Sequence, residues 1–112
     1  MFKYLIGLIG GQDKPARSPK WAKFRREFLK RNPACAGCGT KTKLEVHHIR
    51  PYHLFPNLEL DENNCVVLCD QSSGSCHLVL GHLKDWTSWN ESVLEDAKIY
   101  YQKVQTRPYY RR

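Results

Sequence analysis

The chain has 112 residues, 41% hydrophobic and 26% charged, with a formal net charge of +7. That length holds one domain with a small core, and not comfortably two. No run approaches the roughly 20 apolar residues of a membrane span, which excludes a spanning protein.

The apolar run Phe2 to Gly11 is short and lacks a small-residue cleavage site, so a cytosolic protein without a secretory signal is expected. Residues 1–17 read as a strand or irregular lead-in. Ser18-Pro19 is a helix start, with Ser as N-cap and Pro in the first turn. The helix is expected over Lys20 to Arg31, with Trp21, Phe24 and Phe28 on one apolar stripe. Asn32-Pro33 ends it. Cys35 to Gly39 is a tight turn. Leu44 to Ile49 alternates as a short strand, Pro51 to Asn63 is a loop, and Cys65 to Cys69 is a second strand. A polar loop over Asp70 to Ser75 precedes an expected helix over His77 to Trp86, weakened by Gly81. Asn90 caps a last helix over 91–105, with Val93, Leu94, Ala97, Tyr101 and Val104 on one side. A basic, tyrosine-rich tail follows and is expected to fray.

Two cysteine pairs carry the first chemical signal. In a reducing compartment, paired cysteines in a small domain point to a metal rather than to disulfides. Cys35 and Cys38 have a chelating spacing. Cys69 and Cys76 are further apart than usual, but the small polar residues Gln71 to Ser75 can bulge outward between them. Four thiolates make a closed, structural zinc site. Cys65, inside an apolar run, reads as a core residue.

The histidines carry the second signal. His47-His48 lies between the cysteine pairs, and His77 follows Cys76 directly. An ion held by Cys38 and Cys76 therefore brings these histidines together, as a second metal site with open positions. Neighbouring strand residues face opposite sides, so one of His47 and His48 can bind a metal while the other acts as a base. His82, five residues after His77, is out of α-helical register but is a candidate third ligand if the helix is irregular at Gly81. His53 falls in the loop.

Val46-His47-His48-Ile49-Arg50-Pro51, Asn64 to Cys69 and Cys76-His77 together resemble the HNH endonuclease motif with its zinc-binding cysteines. The resemblance covers about residues 18–86, and the stretch Cys76 to Trp86 is similar to a phage and bacterial subgroup. It implies an α+β fold: a ββα-metal core with a structural zinc, flanked by N-terminal and C-terminal helices, as one domain in a bacterial cytoplasm. It assigns His48 as general base, Asn64 as the motif asparagine with an orienting role, and His47 and His77 as ligands of a catalytic Mg²⁺, Mn²⁺ or Ni²⁺. Cys35, Cys38, Cys69 and Cys76 match the Zn²⁺ ligands. No organic cofactor is implied.

The partner implied is DNA. Nine of the Lys and Arg residues fall in residues 1–34, against two acids, and Lys20, Lys23, Arg26 and Lys30 would grip the phosphate backbone. A homodimer or a larger phage or bacterial assembly stays open. Nicking or low-specificity cutting is expected, since no element is evident that reads base edges. Trp86 and Trp89 are expected to cover the core. The rival reading is a non-catalytic, zinc-bound nucleic-acid-binding module. A cross-brace interaction domain ranks last, because it needs eight ligands in regular register.

Overall fold

Ser18 is not the N-cap expected and Pro19 is not helical: both lie in a turn ahead of the first helix, whose N-cap is Lys20. The computed structural model describes residues 16–71, 74–105, 107 and 108, so most of the lead-in and the end of the tail lie outside the described residues. The Ser18 hydroxyl accepts the Lys20 N–H at 3.1 Å and the Ser18 carbonyl accepts the Trp21 N–H at 3.0 Å. Helix α1 therefore runs Trp21–Arg31. At its end the Asn32 backbone and side-chain amides both donate to the Phe28 carbonyl, and Asn32 leaves helical geometry ahead of Pro33. The predicted stripe is continuous: Trp21 stacks on Phe24 and Phe24 on Phe28, at centroid distances of 5.7 and 6.0 Å.

Strand β1, Leu44–His48, pairs antiparallel with β2, Cys65–Cys69, with Val46 opposite Val67 and His48 opposite Cys65. All five β2 residues are buried, which explains its unbroken apolar sequence. One sheet face packs on α1 through Phe28, Val46, Cys65 and Val67. Truncating Phe28 there would cost about 3–5 kcal/mol. The other face packs Val66 and Leu68 against Ile49, Cys76 and Val93. The loop between the strands holds two short 3₁₀ turns, Pro56–Leu58 and Glu62–Asn64.

The helix expected over His77 to Trp86 is not formed. A single π turn, His77–Gly81, takes its place. The Ser75 hydroxyl starts it by accepting the Leu78 N–H at 3.1 Å. Leu83 and Lys84 then adopt left-handed φ values of 55° and 70°, and the Lys84 N–H closes back on the Leu78 carbonyl. Beyond them, local side-chain bonds compete with helix. The Asp85 carboxylate accepts the Thr87 N–H and hydroxyl, and the Ser88 hydroxyl donates to the His82 and Asp85 carbonyls.

The last helix, α2, spans Val93–Tyr100 and runs into a π turn, Tyr101–Gln105. It starts two residues later than expected, with Ser92 rather than Asn90 as its N-cap, and Asn90 acts ahead of it as a staple. Its oxygen accepts the Ser92 N–H, while its amide donates to the Leu80 carbonyl and the Asp96 carboxylate, stapling α2 to the first π turn. Val93 and Ala97 are buried, but Leu94 and Tyr101, expected beside them, are exposed. The result is the expected α+β architecture, with the sheet between α1 on one face and the π turn and α2 on the other.

Candidate active site and metal centres

The C-terminal end of β2, the turn before β1 and the start of the π turn gather four cysteines. One sulfur from each of Cys35, Cys38, Cys69 and Cys76 lies within 4.8 Å of the others. Cys38 Sγ and Cys69 Sγ are 3.7 Å apart, close to the edge of about 3.8 Å of a tetrahedron with metal–sulfur bonds of about 2.3 Å. Cys35 Sγ accepts the backbone N–H groups of Gly37, Cys38 and Cys69 at 3.3–3.5 Å. With Cys76 as hydrogen-bond partner and these amides around it, the Cys35 thiol is lowered to about 4, which favours the thiolate form a metal ligand needs. Burial raises Cys38. All five cysteines are free thiols. The cluster fits a metal ion such as zinc. Cys65 stays apart, buried in the core, and burial pushes its thiol up to about 12.

Cys76 ends the cysteine cluster and His77 begins the second one. His47, on the sheet face turned toward the π turn, meets His77 and His82. The three ring centroids are 4.8–4.9 Å apart, and one nitrogen from each ring lies within 4.8 Å of the others. The five-residue spacing that breaks α-helical register is one turn of π-helix, so the irregular turn carries His82 over His77. Gly81 leaves the His47 ring its room: a Cβ there would stand 3.1 Å from His47 Cε1 and Nε2 and 3.2 Å from Leu68.

The electrostatics of the triad suit a cation. His47 is only 4% exposed, and burial, followed by repulsion from His77 and His82, lowers it to about 3. Burial lowers His77 too, with His82 adding to it. Both rings are neutral, with lone pairs to give. Among the described residues, His47 Nε2 and His77 Nδ1 are the buried side-chain polar atoms without a hydrogen-bond partner. His82 Nδ1 donates to the Ser88 carbonyl at 2.7 Å, which leaves its Nε2 unprotonated. Two orphaned nitrogens and one oriented ring form a donor set that could hold a metal ion.

His48 lies on the other face of the strand. Its Nε2 bonds to the Glu59 carbonyl at 2.8 Å. A carbonyl only accepts, so Nε2 carries the proton and Nδ1 keeps a lone pair. The ring packs on Trp21 at 4.8 Å and faces Tyr52 at 6.0 Å. Burial lowers its pKa, with the Glu59 carbonyl opposing. Arg17 closes this box: its guanidinium lies 4.3 Å from the Trp21 ring and 4.1 Å from Tyr52, and it pairs with the Glu59 carboxylate at 3.1 Å. That carboxylate, on a residue 5% exposed, also accepts the Ser18 N–H. Nothing in the sequence marked Arg17, Tyr52 or Glu59. Arg17 and Glu59 meet His48 from remote positions, Tyr52 from the loop just after its strand, and a lone loop glutamate carries no local sign of burial.

Asn64 is a clamp. Its oxygen accepts the Arg50 N–H, and its amide donates to the Arg50 and Leu58 carbonyls, which holds both ends of the loop behind His48. All of these contacts are to backbone, as an orienting role requires. Lys20, Lys23, Arg26 and Lys30 are exposed on the outer side of α1. His53 packs beside Tyr52, outside the triad. Both tryptophans are expected to cover the core; Trp89 instead packs edge-on against Phe55 of the inter-strand loop and donates to Glu91. Trp86 is 55% exposed and lies against His77 and His82 at 5.1 and 4.8 Å. A groove of about 410 Å³ between Phe28, Ala36, Val67 and Leu94 contains none of the histidines.

Residues 35–82, which hold both clusters and His48, match the family model described as HNH endonuclease. Neither the curated proteins nor the solved structures hold a match. Among the described residues no helix is long and apolar enough to cross a membrane.

Proposed function

We propose that this chain, whose residues 35–82 match the HNH endonuclease family model, hydrolyses DNA phosphodiester bonds with His48 as general base and one divalent ion on His47, His77 and His82. The observation that carries this reading is the fixed tautomer of His48. A binding module has no use for a half-buried imidazole whose Nε2 proton is held by the Glu59 carbonyl and whose Nδ1 is left basic. In this role Nδ1 takes the proton of the attacking water, and the carbonyl supports the charge that develops on the ring. Trp21, Tyr52 and Arg17 hold the ring in place, and Asn64 holds the loop that supplies the carbonyl.

A bound divalent ion would supply positive charge against the scissile phosphate and the leaving 3′ oxygen. Three neutral imidazoles favour Ni²⁺ or Zn²⁺ over Mg²⁺ and Mn²⁺. The four thiolates would hold a structural Zn²⁺ that fixes the position of His77. The outer face of α1 would bind backbone phosphates and add affinity without sequence selection, which makes the enzyme a nickase or low-specificity cutter.

The test is plasmid nicking with added Mg²⁺, Mn²⁺, Ni²⁺ or Zn²⁺, wild type beside His48→Ala. Wild type is expected to nick, and His48→Ala to lose at least about 10²-fold while still binding DNA. Equal cleavage by both rejects the assignment of His48. DNA binding without cleavage by either favours the binding module.

A further inference from the structure

The segment that leaves the histidine triad has a feature the nuclease chemistry does not use. Leu83 and Trp86 are each 55% exposed, on the turn that follows His82. Single exposed apolar residues are ordinary. These two differ in how firmly they are presented. Leu83 sits at φ 55° and Lys84 at 70°, a conformation that side-chain-bearing residues rarely adopt and that persists only where the surroundings enforce it.

The surroundings do enforce it. The Lys84 N–H is tied to the Leu78 carbonyl, the Asp85 N–H to the His82 carbonyl and the Ser88 N–H to the Asp85 carbonyl. The Thr87 and Ser88 hydroxyls and His82 Nδ1 complete the brace. The turn is thus a rigid mount. It holds an aliphatic and an indole side chain in solvent, with the indole edge against the His77 and His82 rings. Lys84, exposed between them, adds a positive charge.

We propose that Leu83 and Trp86 form a base-stacking wedge beside the histidine triad, and that the preferred substrate is DNA whose bases are unstacked at the scissile step: single strands, gaps or mismatched duplex. The inference rests on the nuclease reading above and adds the substrate class to it. A paired duplex keeps its base faces covered by their neighbours. An unstacked base offers a face to the indole, and stacking of this kind is sequence-tolerant. Lys84 is placed to meet the phosphate next to that base. An apolar side chain such as Leu83 can hold two base steps apart.

The experiment measures binding, with no divalent ion added beyond one equivalent of Zn²⁺, so that the strand stays intact. Full-length protein is titrated into a 16-nucleotide single strand carrying 2-aminopurine, and into the same sequence as a duplex. Trp86→Ala is expected to lower the ratio of single-strand to duplex affinity on the order of tenfold, and Trp86→Phe to restore most of it. Leu83→Ala, which leaves the indole and the histidine rings in place, is expected to shift the ratio the same way by a smaller factor. Quenching of 2-aminopurine by wild type and its loss in Trp86→Ala report the stack directly. An unchanged ratio in both Trp86→Ala and Leu83→Ala overturns the wedge and leaves the nuclease reading standing. Wild type that binds neither form overturns both.

Discussion

Replacing Gly81 by alanine separates the stability of the fold from the quality of the histidine triad. The added methyl would stand 3.1 Å from two atoms of the His47 ring and 3.2 Å from Leu68. Helical backbone favours alanine over glycine by about 0.5–1 kcal/mol. Crowding a packed site costs about 1–3 kcal/mol. The two largely offset, so the loss in metal-free stability is small, on the order of 1 kcal/mol. The loss in metal affinity is not small. His47 has to move by a few tenths of an ångström, more than the roughly 0.2 Å a ligand position tolerates. Disturbing a metal ligand's support costs about 10–100-fold in affinity. At Ni²⁺ set to about 100 times the wild-type Kd, wild type gains about 2.7 kcal/mol. A variant weakened 10–100-fold gains only about 0.4–1.4 kcal/mol. Urea unfolding of zinc-loaded protein, with and without added Ni²⁺, measures both quantities. A Gly81→Ala protein with the full Ni²⁺ increment would refute the claim that His47 is held at ligand distance by that glycine.

Cys35→Ser removes the sulfur that accepts three backbone amides, so bound zinc should be lost and the urea midpoint lowered; a Cys35→Ser protein that keeps one tightly bound zinc per chain by elemental analysis would count against a four-thiolate site. Acid should destabilise the metal-stripped protein in a particular window. His47 is held near 3, and His48 and His77 below their usual value, because burial disfavours the cation. The unfolded chain therefore binds more protons below about 6.5, and stability is full above that pH and falls as pH drops toward the folded values. A urea midpoint that stays level from pH 7 to pH 4 would contradict this. Replacing Lys20, Lys23, Arg26 and Lys30 by glutamine should reduce the slope of log Kobs for duplex DNA against log salt by about 3–4, at about 0.9 per phosphate contact. An unchanged slope would place the DNA on another face.

The parts of the fold legible in the sequence are those governed by short-range rules. The run Cys65 to Cys69 is uniformly apolar because it is buried on both faces, and its limits are those observed. The cysteine spacing marked the thiolate cluster before any coordinates. His82 was ambiguous for a physical reason: a count of five fails on an α-helix and succeeds on a π turn, and sequence periodicity does not distinguish the two. The helix expected to reach Trp86 stops because Asp85, Thr87 and Ser88 bond locally. Leu94 and Tyr101 share the apolar pattern of their neighbours yet face solvent, since a short core leaves nothing for them to cover. The box around His48 was the least legible. Arg17 and Glu59 are 42 residues apart, and their pairing depends on where the loop returns.

Cys76 and His77 are joined by one peptide bond, yet each faces a different cluster. Order of assembly then becomes a property of the chain itself. A soft ion on the four sulfurs would fix Cys76 and, through that one bond, His77, so under the proposed function the thiolate site would fill first and set the histidine site for a second ion. A chain metallated only at sulfur would then keep its fold and lack its reactivity.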